Sequence, residues 1–111
     1  MSGFDVNRSQ VSATALADFL AEETREDITS VPGIGLVAAA MLATDLDTEP
    51  GVTTTYQLIG MFLLMRKPGM TSQEHCDAFW NWLRLKGVSS HRAGIVHCVA
   101  EKVSVWMPGV Y

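Results

Sequence analysis

No apolar run in this sequence is long enough to cross a bilayer. The run from Leu58 to Met65 falls far short of the roughly 20 residues that a spanning helix needs. Cysteine is scarce as well. Cys76 and Cys98 are the only two, too few for a disulfide framework, so the expectation is a reducing compartment. The N-terminus shows no secretory apolar segment, and the chain shows no repeat and no low-complexity tract. Positive charge is in short supply. Eight Lys and Arg against 12 Asp and Glu leave a net charge of −4, which argues against a broad basic face for nucleic acid. It leaves room for a local cluster of donors within an acidic chain.

What is present is a core. The 111 residues are 48% apolar, enough for one domain, although domains of this size often gain stability by association. Residues 1–11 lack periodicity and are expected as a flexible tail. Residues 12–111 are expected as a compact all-α domain of five to six helices. Ser12 N-caps the first, running to about Arg25, with Leu16, Phe19 and Leu20 as its buried stripe. Glu22, Glu23, Glu26 and Asp27 follow as an acidic exit that reads as a solvated face.

The stretch Val31-Pro32-Gly33-Ile34-Gly35 organises the rest. Pro32 disfavours helix at Val31. Gly33 and Gly35 permit positive φ and a tight reversal, and Ile34 plugs the corner into the core. A short helix at Ile28–Val31 precedes it, and an alanine-rich helix runs from Leu36 to about Asp45. The first amides of that second helix have no partner inside it. They open past two glycines, an arrangement that binds anions, phosphate above all. This is the helix-hairpin-helix design, spanning about residues 28–45. A plain glycine-rich corner between two helices is the alternative.

Asp45, Asp47 and Glu49 share a loop without the Ca²⁺-loop pattern and read as solvated acid. Thr53 caps a helix from Thr54 to Met65 that is apolar around most of its circumference. Such a helix is central to a core or covered by a partner, and a homodimer through or near it is expected. Arg66-Lys67-Pro68-Gly69 is a turn whose charges suit the preceding helix end. Thr71-Ser72-Gln73-Glu74 fits a capping box and opens a helix that carries Phe79, Trp82 and Leu83 inward and ends at Gly87. Trp80 is expected at an interface or groove. Ser89 or Ser90 caps the last helix, with Ile95, Val99, Val103 and Trp106 on its inner face. His91 and Arg92 occupy its first turn, where positive side chains oppose the helix dipole; they serve an anion or are simply two exposed polar residues. His75-Cys76 and His97-Cys98 fit no zinc spacing; buried cysteines and surface histidines are expected. No cofactor and no zinc site is expected, a monovalent cation on the hairpin carbonyls stays open, and no nucleophile–base arrangement marks an enzyme.

Four segments, in order, resemble the barrier-to-autointegration factor family. Asp18-Phe19-Leu20-Ala21-Glu22 resembles its first helix and Val31-Pro32-Gly33-Ile34-Gly35 its hairpin. Tyr56 to Lys67 resembles its long middle helix, and Phe79-Trp80-Asn81-Trp82-Leu83 its Phe-x-x-Trp-Leu element. The likeness covers about Thr14 to Trp106. It implies a homodimer with one helix-hairpin-helix per subunit that binds double-stranded DNA without sequence preference and bridges two duplexes. It also implies a tie between chromatin and the nuclear envelope through LEM-domain proteins, and a location in the nucleus and also the cytoplasm. Carried over by position, the phosphate-binding amides are those of Gly33, Gly35, Val37 and Ala38. Ser90, His91 and Arg92 form a second DNA contact. Gly60, Phe62 and Leu64 contribute to a partner groove at the dimer interface. Ser12 and Thr14 are the candidates for phosphorylation that weakens DNA binding.

Two departures matter. Ala15, Ala40 and Met41 stand where the family has lysines, and no Lys or Arg occurs between Glu26 and Met65. Counterion release shrinks with each lost cation, so weaker or more salt-sensitive binding is expected. The competing expectation is a dimeric protein-interaction adaptor of the same family that has lost most DNA binding.

Overall fold

Five α-helices and no strand make up the described residues of the computed structural model, which are 3–45 and 49–108. Asp47 and the last three positions of the expected helical domain lie outside them. The helices are α1 (Ala13–Ala21), α2 (Leu36–Ala43), α3 (Thr55–Leu64), α4 (Ser72–Leu85) and α5 (Arg92–Trp106), with 3-10 turns at Val6–Arg8 and Ile28–Ser30. The radius of gyration, 12.9 Å, is that of a fully packed chain of this length, for which about 13 Å is expected.

Local chemistry explains most starts. The Ser12 hydroxyl accepts from Ala15 N–H. Full capping boxes open α3, between Thr54 and Gln57, and α4, between Thr71 and Glu74. The cap of α3 is thus Thr54 rather than the expected Thr53. The stops owe more to packing. Helix α1 ends at Ala21, short of Arg25, because Glu22 is extended and the buried Lys102 ammonium takes its last carbonyls. That ammonium donates to Phe19 O at 2.6 Å and Glu22 O at 2.9 Å. Helix α2 ends at Ala43 rather than Asp45. Val52 N–H donates to Leu42 O at 2.8 Å, and Gly51 lies so close to the Ala43 carbonyl that a Cβ has no room there. Lys86 Nζ donates to the Thr44 carbonyl just beyond.

The central helix is α5. Ile95, Val96, Cys98, Val99 and Val103 are fully buried, and α1, α3, α4 and the first 3-10 turn all pack on it. Trp106, expected inside, is instead 44% exposed where the helix passes beyond the core. Helix α3 buries Leu58, Ile59 and Phe62 and leaves Tyr56, Gly60 and Leu64 in solvent. Among the described residues no helix is long and apolar enough to cross a membrane.

From Phe4 to Val11, the segment expected as a loose tail lies along α4 and α5. Phe4 N–H donates to Asp77 Oδ1 at 2.7 Å, and Gln73 Nε2 donates to Phe4 O at 2.7 Å. Ser9 Oγ lies 3.2 Å from His97 Nδ1. Val11 fills the space that the missing side chain of Gly94 leaves on α5. Polar bonds to the main chain of an apparently featureless segment hold it, which periodicity cannot reveal.

Both cysteines are buried. Burial pushes the Cys76 thiol up to about 11 and the Cys98 thiol up to about 12, with carboxylates nearby adding to it, so both stay protonated and unreactive. His75 departs from expectation, being fully buried rather than on the surface. Its ring stacks on Phe62 at a centroid distance of 4.0 Å, and its Nε2 lies 2.5 Å from the Phe62 carbonyl oxygen, to which the neutral tautomer donates. Burial lowers its pKa below the ordinary 6.5. The unfolded chain therefore binds the extra proton first, and stability falls as pH drops below about 6.5 until the folded-state value is passed. The depressed Asp27 and Glu74 carboxylates, held by Thr29 and Thr71, lose their contribution in a lower window, beneath the ordinary carboxylate range. Urea midpoints measured from neutral pH to pH 5 are expected to decline in the parent and to hold nearly flat in His75→Gln.

Candidate nucleic-acid interface

Three helix N-termini open onto one groove of about 730 Å³. Ser12 and Ala15 bring that of α1, Gly35 to Ala38 that of α2, and His91 and Gly94 that of α5. The approach to α2 follows from the sequence. Val31 is extended ahead of Pro32, Gly33 takes a left-handed φ of 98°, and Ile34, 4% exposed, anchors the corner. Gly35 departs from expectation: its φ of −97° and ψ of −168° are extended, so Gly33 alone makes the reversal. What Gly35 supplies is openness, since nothing lies within 4 Å of where its Cβ would stand.

The first bond inside α2 runs from Ala39 N–H to Gly35 O at 3.0 Å. The amides of Leu36, Val37 and Ala38 precede it and find no side-chain cap. In α5 the first bond runs from Ile95 N–H to His91 O at 3.0 Å, which leaves the amides of Arg92, Ala93 and Gly94. The expected cap from Ser89 or Ser90 is absent. His91 holds the N-cap position instead, with a left-handed φ of 61° and no side-chain bond. A non-glycine residue in that region carries strain, and here it faces the groove. The end of α2 thus presents unclaimed donors and a positive dipole end to the groove, and α5 brings its N-cap His91 and Gly94 to the same space.

The electrostatics of the groove differ from those of the whole chain. Among the described residues no Asp, Glu, Lys or Arg lines it, and His91 is its one ionisable side chain. Gly33, Gly35, Ser90 and His91 are exposed there, Val37 is 73% exposed, and Ala38 is half-buried. Arg92 is the exception among the expected DNA contacts. Its Nη1 donates to Val88 O at 2.7 Å, and its guanidinium lies 4.4 Å from the centre of the Trp80 ring. A carbonyl and an aromatic face together hold this cation away from the groove, which also accounts for the half-buried position of Trp80.

Ser12 lines the groove, whereas Thr14, though exposed, does not. Of the three residues expected at a partner groove, Gly60 and Leu64 lie at the surface of α3. Phe62 does not: it is fully buried, edge-on to Phe79 at 5.0 Å between centroids. Gln10, Val11 and Thr29 also wall the groove, and no sequence signal marked them. Among the described residues no group of three or more His, Cys, Asp or Glu is placed to hold a metal ion. No family model, no curated protein and no solved structure matches the chain.

Proposed function

We propose that this chain is a homodimeric duplex-DNA-binding and bridging protein of the barrier-to-autointegration factor type. One observation carries the reading. In a chain of net charge −4, three helix N-termini face a groove that no carboxylate lines among the described residues. Phosphate oxygens accept hydrogen bonds from the amides of Val37 and Ala38 and from the first turn of α5, with Ser90 and His91 at the rim. Main-chain donors do not distinguish bases, so binding is independent of sequence. Residues 28–43 serve as the helix-hairpin-helix, its first helix reduced to the 3-10 turn at Ile28–Ser30. A dimer formed on the exposed face of α3 carries two such grooves and joins two duplexes. Gly60 and Leu64, without Phe62, contribute to the seat of a LEM-domain partner, in the nucleus and also the cytoplasm. A phosphate on Ser12 would put negative charge into the groove and oppose DNA.

Capture by amides displaces few counterions. The expected result is therefore modest affinity with a shallow dependence on salt, a log–log slope of magnitude about 2 or less; of the two outcomes expected from the missing lysines, weaker binding is kept and greater salt sensitivity is not. Titration of random-sequence duplex in a gel-shift assay across a salt series measures it. A steep slope would locate binding on lysines and arginines elsewhere.

The absence of cations from the groove, with Arg92 turned onto Trp80, favours one second reading, a dimeric adaptor that binds protein alone. No retardation at low salt, with LEM-domain binding intact, would support it.

A further inference from the structure

The exposed stripe of α3 has charge of opposite sign fastened at its two ends. Tyr56, Gly60 and Leu64 recur every four residues; Tyr56 is 56% and Leu64 75% exposed, and nothing lies within 4 Å of where a Cβ of Gly60 would stand. At the N-terminal end, the acidic stretch Glu22–Asp27 is bound to the helix by main-chain contacts. Tyr56 Oη donates to Thr24 O, Thr55 N–H to Glu26 O and Thr55 Oγ1 to Asp27 O, each at 3.0 Å. Glu23 and Glu26 are exposed and make no ion pair among the described residues. At the C-terminal end, Lys67 stands exposed in the turn after α3.

Two copies that pack antiparallel about Gly60 place Tyr56 of each opposite Leu64 of the other. Such a contact is isologous. It brings each Lys67 turn beside the other copy's Glu23 and Glu26, twice per dimer. Parallel packing would set like charge against like. With α3 read as the dimer face, we propose that the Glu23/Glu26 loop of each subunit clasps the Lys67 turn of the other and thereby fixes the antiparallel register. This rests on the reading of α3 as a dimer face and adds the contact that orients it.

Sedimentation equilibrium of the full chain tests it with two variants, Lys67→Glu and the double variant Glu23→Lys/Glu26→Lys. Each alone is expected to weaken self-association by about tenfold or more, less so at high salt. Mixed in equal amounts they are expected to regain dimer, because every reversed loop then meets a reversed turn and every parent loop a parent turn. The three positions are exposed and lack side-chain bonds, so folding is spared, as far-UV circular dichroism would register. A parent protein that sediments as monomer overturns the α3 reading and the clasp together. A dimeric parent whose variants associate unchanged, or fail to recover on mixing, overturns the clasp alone.

Discussion

Gly35→Glu is expected to lower affinity for duplex DNA on the order of 100-fold while the protein remains folded. The position is suited to this because its backbone is ordinary and its surroundings are empty. The φ of −97° suits any residue, and a Cβ there meets nothing within 4 Å. An anionic side chain at a helix N-terminus is also favoured by the dipole, so the stability change is expected to stay within about 1 kcal/mol. For a phosphate the same carboxylate is a competitor and a repelling charge. Two unit charges about 5 Å apart near a protein surface repel by roughly 3 kcal/mol, which sets the expected loss. Gel shift reads the affinity and a urea midpoint reads the stability. Equal affinity in parent and variant would remove this groove as the DNA site. Gly33 is no substitute for this purpose. Its φ of 98° strains any side chain, and a Cβ there would stand 3.1 Å from Ile95 Cγ1 and 3.3 Å from His91 Cβ, so a lost function would be confounded with a disturbed corner.

The second large effect is on stability. Lys102→Met is expected to cost about 3 kcal/mol, the penalty for leaving buried carbonyls without a donor. Lys102 is only 1% exposed. Its ammonium caps the negative end of α1 and lies 5.0 Å from the centre of the Phe19 ring. Burial lowers its pKa, and the Glu22 carboxylate works against that shift. Methionine keeps most of the length and removes only the donors and the charge. Urea denaturation followed by circular dichroism measures the difference. A change under about 1 kcal/mol would show that desolvation of the ammonium cancels its bonds.

These two residues mark what could and could not be read along the chain. The corner at Pro32-Gly33 and the capping box at Thr71–Glu74 are local devices, set by the φ of one residue or by a hydroxyl and a carboxylate three positions apart, and their sequence spacing is their geometry. The burial of Ile34, Phe79 and Val99 follows from apolar spacing in the same way. Lys102 carried no such mark. A lysine on a helix reads as solvated until α1 and its C-cap Glu22 supply three carbonyls from some 80 positions earlier. Arg92 was legible as a cation in the first turn of α5, yet its direction depends on Trp80 from another helix. His75 read as a surface histidine because nothing local announces the Phe62 carbonyl waiting for it. Within the groove, the donors of α2 followed from the glycines. The left-handed backbone of His91, which displaces the expected serine cap, follows from how α5 meets that corner.

The Lys102 clamp also bears on the order in which the molecule is made. Translation delivers α1 long before the ammonium that completes it, and the bond from Lys102 to Phe19 O spans 83 positions. Until α5 is synthesised, the end of α1 is left to water, and a helix of nine residues is too short to persist by itself. A nascent chain halted ahead of Lys102 is therefore expected to lack a settled first helix, so that native packing waits on α5 rather than growing from the front.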